Sequence, residues 1–166
     1  MTPSSGIRIL VDADACPVKQ EIYRVAEREN VRVTLVSNSG MRVPPLSLID
    51  QHVVNDSFDA ADDLIVETVA TTIALGERCM VITTDILLAD RCLKSGARVL
   101  APNGKLFTSG SIGPAIATRA IMADLRAGGA QIGGPRPFSS ADRSAFLQAL
   151  DRELVAMKRA GTPTTF

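Results

Sequence analysis

Ile7-Arg8-Ile9-Leu10-Val11-Asp12-Ala13-Asp14-Ala15-Cys16-Pro17 is the stretch from which the fold is read. Ile7–Val11 is rich in β-branched residues and apolar at both alternating positions except Arg8, the pattern of a central strand buried on both faces. Two aspartates then stand at its carboxyl end, and Pro17 suits the first turn of a helix, where its missing N–H is harmless. Val18, Ile22, Val25 and Ala26 follow at helical spacing, and Asn30 ends that helix. Strand, acidic turn and helix in this order begin a βαβ unit.

Working outward, Val31–Val36 alternates into a second strand, residues 37–40 form a turn, and Pro44-Pro45 keeps the next stretch irregular. His52–Val54 reads as a short third strand. From Phe58 to about Leu75 the spacing predicts a helix ended by Gly76. Cys79–Thr83 is a buried strand, Ile86–Lys94 a helix ended by Gly96, and Ala97–Ala101 a strand closed by Pro102-Asn103-Gly104. Two helices follow, Ile112–Arg126 and Ala141–Arg159. A Gly/Pro-rich loop separates them, and Ser139 serves as N-cap of the second. Residues 161–166 read as a frayed tail.

The predicted class is α/β: a three-layer sandwich with a mainly parallel central sheet of 4–5 strands, plus two C-terminal helices. One domain spans 1–166, with a core of about 7–127 and a C-terminal loop and helix at about 128–159. Ligands in such sheets bind at the carboxyl ends of the strands, where strand order reverses.

Composition excludes several classes. Apolar residues make up 46% and charged residues 22%, values of a globular chain. Three cysteines (Cys16, Cys79, Cys92) without a close pair give neither a disulfide framework nor a four-ligand zinc site. No apolar run approaches the ~20 residues that span a bilayer, and no leader is visible before the first strand, so a cytoplasmic setting is expected. His52 is the one histidine and reads as structural; Cys16 reads as a cap or packing residue. Nucleotide-binding glycine motifs are absent. Six aromatic residues, five Phe and one Tyr, argue against an extended base-stacking platform.

The net charge of zero hides an asymmetry. Residues 1–90 carry 7 Lys/Arg against 14 Asp/Glu, and residues 91–166 carry 11 against 4. Either the acidic half concentrates cations while the basic half meets phosphates, or the two halves interleave as surface pairs.

Aspartates recur at three strand–helix junctions. Asp12 and Asp14 follow the first strand, and alternation in an extended chain points both to one side. Asp59, Asp62 and Asp63, with Asp56 before them, open the helix after the third strand. Asp85 follows Thr83-Thr84 and Asp90 lies five residues on. Any one group has a local explanation in capping or the helix dipole. Together they fit a shared hard cation, Mg²⁺ or Mn²⁺, which prefers carboxylate oxygens and relieves their repulsion.

The segments 11–19, 59–63 and 81–89 resemble the YaiI/YqxD family of uncharacterised bacterial proteins. So do Ala101-Pro102-Asn103-Gly104, Ser111-Ile112-Gly113 and Gly133-Gly134-Pro135-Arg136-Pro137-Phe138-Ser139. The resemblance runs from about Ile7 to Arg159. That family is PIN-like, and PIN domains are typically Mg²⁺- or Mn²⁺-dependent ribonucleases. The resemblance implies catalytic and metal-binding roles for Asp12, Asp62 or Asp63, and Asp85, with Asp14 and Asp90 as further ligands. The Asp-x-Asp start and the long helical C-terminal extension depart from a standard PIN domain.

The function expected is phosphodiester hydrolysis in RNA. Asp12 and Asp85 hold the metal, and Asp62 and Asp63 supply a further ligand and a water-orienting base. Lys19, Ser37 and Asn38 lie near the same rim as candidate phosphate contacts. Lys105, Arg119, Arg136 and Arg143 are candidates to track a nucleic-acid backbone. The partner is RNA or another phosphate-bearing ligand, with no membrane surface; oligomeric state is left open. Two alternatives stand beside it. One is a non-catalytic metal- or nucleotide-binding regulatory module. The other is a haloacid dehalogenase-type phosphatase with Asp12 as nucleophile and Asp14 as general acid, a poor match because Cys16-Pro17 follows.

Overall fold

The computed structural model describes residues 6–55, 57, 59–133 and 136–159. In chain order the elements are β1 (Ile7–Asp12), a 3₁₀ turn (Ala13–Ala15), α1 (Lys19–Glu29), β2 (Arg32–Ser37), β3 (Ile49–Val53) and α2 (Ala60–Ala74). Then come β4 (Arg78–Ile82), α3 (Ile86–Lys94), β5 (Arg98–Leu100), β6 (Leu106–Phe107), α4 (Ser109–Ala127) and α5 (Ser140–Arg159). Asp56, the expected helix start at Phe58, Gly134-Pro135 and the tail 161–166 lie outside the described residues.

The six strands form one sheet in the order β3-β2-β1-β4-β5-β6, parallel except for β6. β1 pairs with β2 on one side and β4 on the other, which is why Ile7, Ile9, Leu10 and Val11 are all buried. Alternation divides each strand between two cores. Ile9, Val11, Leu35, Met80 and Ile82 meet α1 and α5 on one face, through Ile22, Val25, Phe146 and Leu150. Leu10, Val36, Cys79 and Val81 meet α2, α3 and the start of α4 on the other, through Ile65, Val69, Leu88 and Ile112. The result is the expected three-layer α/β sandwich.

Four local details differ from the sequence expectation. β3 starts at Ile49, not His52, because Ile49 supplies the buried position and Asp50 takes a hydrogen bond from the Thr34 hydroxyl at 2.7 Å. β6 is a sixth strand, too short to carry a periodic signal. α4 starts at Ser109, because Thr108 and Ser111 form a reciprocal capping box ahead of the apolar run. The chain after Asp12 winds into a 3₁₀ turn instead of staying extended. Beyond Ile116, α4 leaves the body of the molecule, and residues 117–127 are all exposed.

Strand order reverses between β1 and β4. The chain builds leftward through β2 and β3, returns across the sheet through α2, and builds rightward through β5. This opens a crevice at the carboxyl ends of β1 and β4. Asp12 has the parity of Leu10 and Thr83 that of Val81, so both face the α2/α3 layer beside that crevice.

α5 fills one core with Phe146, Leu150, Leu154 and Met157, so its packing belongs to the sheet. Phe146→Ala should lower stability by about 3–5 kcal/mol. Urea unfolding followed by circular dichroism should remain a single transition; a second, separate transition would show that residues 128–159 fold on their own.

Candidate acidic site

Three junctions deliver side chains to one cavity of about 530 Å³ at the strand reversal. Asp12 and Asp14 come from the β1 end, Asp59 and Asp62 from the start of α2, and Asp85 from the β4–α3 turn. Arg91 from α3 and Arg119 from α4 also line it.

Each carboxylate is held differently. The Thr83 hydroxyl donates to Asp12 Oδ2 at 2.8 Å and accepts from the Asp85 N–H at 3.0 Å, linking the ends of β1 and β4 through one oxygen. Asp85 caps α3, its Oδ1 accepting from the Leu87 and Leu88 N–H groups at 3.0 and 3.2 Å. One oxygen does the capping, so capping leaves the other for a ligand. Asp14 does not cap α1; its Oδ2 accepts from the Asn38 N–H at 2.8 Å, which ties the 3₁₀ turn to the end of β2. The turn, not strand alternation, brings Asp14 to the cavity. Asp59 precedes α2 in a left-handed conformation (φ 67°), which Asp tolerates better than most residues.

Crowding shifts these groups. Burial raises the Asp12 carboxyl above its ordinary value; Thr83 draws it partly back, and Asp85 and Asp14 push it up further. Asp62 is pushed up to about 6, by burial first and then by Asp85, Asp12 and Asp59. Arg91 draws Asp62 partly back, so the carboxylates repel one another by more than this cation offsets.

Other predicted residues fall elsewhere. Asp63 is exposed and pairs with Arg91 at 2.9 Å; Asp90 pairs with Lys94 at 2.9 Å. Neither lines the cavity. Lys19 donates to the Ala13 carbonyl, and buried Ser37 donates to the Ser39 carbonyl, so both are engaged in the turns they support. Asn38 does reach the cavity. Arg143 donates to Glu21 and the Pro17 carbonyl, and Lys105 lines a neighbouring cavity. His52 is exposed on the edge strand, 3.7 Å from Asp50, and not buried in the structure. Cys16 is buried, with its thiol raised by burial, in keeping with packing. α1 and α5 exchange ion pairs (Glu21–Arg143, Glu29–Lys158, Arg28–Asp151), so here the acidic and basic halves interleave. Arg91 is the cavity residue that sequence reading missed. Its approach depends on α2 packing against α3, and spacing along the chain carries no trace of that contact.

The donor set suits a hard divalent cation in chemistry: oxygen ligands, negative charge and mutual repulsion. Among the described residues no three His, Cys, Asp or Glu side chains converge closely enough to form a ready-made ligand set. The carboxylates share a cavity, not a point.

The model of the family described as "Uncharacterized BCR, YaiI/YqxD family" matches residues 10–156. Proteins named UPF0178 protein are similar along nearly the whole chain. That of Sphingopyxis alaskensis is 66% identical over 152 residues, covering 91% of this chain and 95% of its own. Those of Nitrobacter winogradskyi and Brucella ovis are 53% and 51% identical over 156 residues. They cover 94% and 93% of this chain, and 96% and 93% of their own. No solved structure matches significantly. Among the described residues no helix is long and apolar enough to cross a membrane.

The raised Asp62 predicts a pH-dependent stability. A folded-state pKa near 6 against about 3.9 unfolded means that the proton stabilises the fold fully below about pH 4. That contribution is lost as pH rises through 6. At pH 7 the crowded carboxylate therefore opposes folding, and Asp62→Asn should raise Tm in EDTA by a few degrees. The gain should vanish by pH 4; a gain equal at both pH values would mean that charge crowding is not its cause.

Proposed function

We propose that this chain, which belongs to the YaiI/YqxD family, is a divalent-metal-dependent nuclease that hydrolyses phosphodiester bonds in RNA. The observation that carries this reading is the convergence of Asp12, Asp14, Asp62 and Asp85 on one cavity at the strand reversal. The choice of RNA follows from the PIN-like resemblance, and a cytoplasmic place of action goes with it.

Asp12, Asp14 and Asp85 are the residues to hold Mg²⁺ or Mn²⁺, each with one oxygen already fixed by a protein donor. Side-chain rotations would have to gather them, since they share a cavity and not a preformed ligand set. When bound, the ion neutralises the carboxylates, lowers the pKa of a water and stabilises charge building on the phosphate. Asp62, which lines the same cavity outside that ligand set, would be the group to accept a proton from an attacking water. Arg91, steadied by Asp63, and Arg119 stand at the rim as phosphate contacts. Asp63 and Asp90, paired with Arg91 and Lys94, are not ligands in this reading.

The test is cleavage of end-labelled single-stranded RNA in Mn²⁺ and in EDTA, beside an Asp12→Asn/Asp85→Asn double variant. Cleavage should require the metal and fall at least ~100-fold in the variant, the loss expected when groups stabilising transition-state charge are removed. Undiminished cleavage by the variant would overturn the shared-metal reading. Silence on every RNA tested, with Mn²⁺ binding intact, would favour a metal-binding regulatory module instead.

A further inference from the structure

Beside the acidic cavity lies a second one of about 450 Å³, built from the same supports but opposite in character. The β1–α1 link gives Asp14 to the first and Pro17 to the second. The β4–α3 turn gives them Asp85 and Thr84, and α4 gives them Arg119 and Ala115. Pro17, Ile86, Pro102, Phe107 and Phe138 make the second cavity largely apolar. Its polar groups include Asn103, Thr84, Lys105 and Arg136. A cavity of this size, apolar with a few placed polar groups, has the build of a small-molecule site.

Two motifs that the acidic site does not use form the walls of this cavity. Gly104 has φ 89°, and a Cβ there would lie 2.7 Å from the Ala145 backbone, so the 101–104 turn sits directly on α5. On the same helix, Asp142 accepts from Arg136 Nη2 at 2.6 Å and from the Ser139 N–H at 3.0 Å. The Ser139 hydroxyl accepts in return from the Asp142 N–H. Those bonds, the Ser139 N–H first, hold the Asp142 carboxyl below its usual range. Arg143 lies over the Phe138 ring, 5.2 Å from its centroid, and is anchored on Pro17 and Glu21. One ring face is thus taken, while 36% of the residue stays exposed. Lys105 uses its backbone N–H on Asn103, and its ammonium makes no ion pair among the described residues.

We propose that this second cavity binds one nucleotide, its base on Phe138 and the proline walls and its phosphate at Lys105. The choice of a nucleotide rests on the phosphodiester reading above; the shape and lining of the cavity do not. A half-exposed ring held from behind suits the π-face of a base. An unpaired ammonium suits a phosphate oxygen. A cationic ligand finds no partner here, since the lining carboxylate Asp142 is already bound to Arg136. The scarcity of aromatics argues against an extended stacking platform, but one ring is enough for one nucleotide. Because the two cavities share three supports, one strand could occupy both.

The test is calorimetry on the full chain in EDTA, with adenosine 5′-monophosphate, adenosine and inorganic phosphate as probes. The monophosphate should bind more tightly than either fragment. Phe138→Ala and Lys105→Met should each weaken it about ten-fold. Phe138→Leu separates loss of the ring from loss of volume, and unchanged circular dichroism confirms folding. Asp12→Asn/Asp85→Asn should leave monophosphate affinity unchanged. Affinity unmoved by both cavity variants, loss that follows the aspartates, or no saturable binding would each overturn the proposal. If RNA cleavage fails while this binding pattern holds, the nuclease reading falls and the nucleotide site stands. The converse result overturns the nucleotide site alone.

Discussion

The hydrogen bond from Thr83 to Asp12 crosses the one place where the sheet's strand order reverses. Everything distinctive about this molecule is arranged around that crossing. The same hydroxyl accepts from the Asp85 N–H, so a single oxygen sets how the ends of β1 and β4 stand relative to each other. It can do so because Thr83 keeps the parity of Val81 and Asp12 that of Leu10, which turns both toward the α2/α3 layer. The position of α2 then follows from its own packing through Ile65 and Val69, and its first turn brings Asp59 and Asp62 to the same crevice.

This arrangement works against the fold electrostatically. Asp12 and Asp62 both carry raised pKa values, first through burial and then through their acidic neighbours. A carboxylate cluster of this kind persists where a well-packed frame holds it. The frame here is two cores, one on each face of the sheet. The exposed Arg28–Asp151 pair between α1 and α5 adds little to it, since solvent-screened pairs are worth at most about 1 kcal/mol each. Glu21 of the Glu21–Arg143 pair, by contrast, is buried. The Glu21–Arg143 pair ties α1 to α5, whose first turn and preceding residues wall the second cavity.

Much of this was legible in the sequence, for physical reasons. Strands buried on both faces must be apolar at both parities, so β1 and β4 announce themselves. Glycines and prolines mark the ends of α2, α3 and β5. Aspartates at three strand–helix junctions must come near one another once the sheet is parallel, because all such junctions share one edge. Features set by packing across the fold were not legible. The 3₁₀ turn that brings in Asp14 depends on an amide from Asn38, 24 residues away. Asp63 and Asp62 look equivalent in sequence, yet helix rotation sends one to Arg91 and the other into the cavity. Ser37 looked accessible at a strand end, but its turn buries it. The motifs at 101–104 and 136–139 were visible as motifs; that both line one cavity depends on how α5 docks.

The proposed function needs aspartates from separate junctions to share one cation at the strand reversal. Anomalous scattering from a crystal soaked in Mn²⁺ tests it most directly. A shared cation gives a peak in the acidic cavity bounded by Asp12 and Asp85. A peak seated elsewhere, or none there when Mn²⁺ is saturating and the cavity open to solvent, would contradict it.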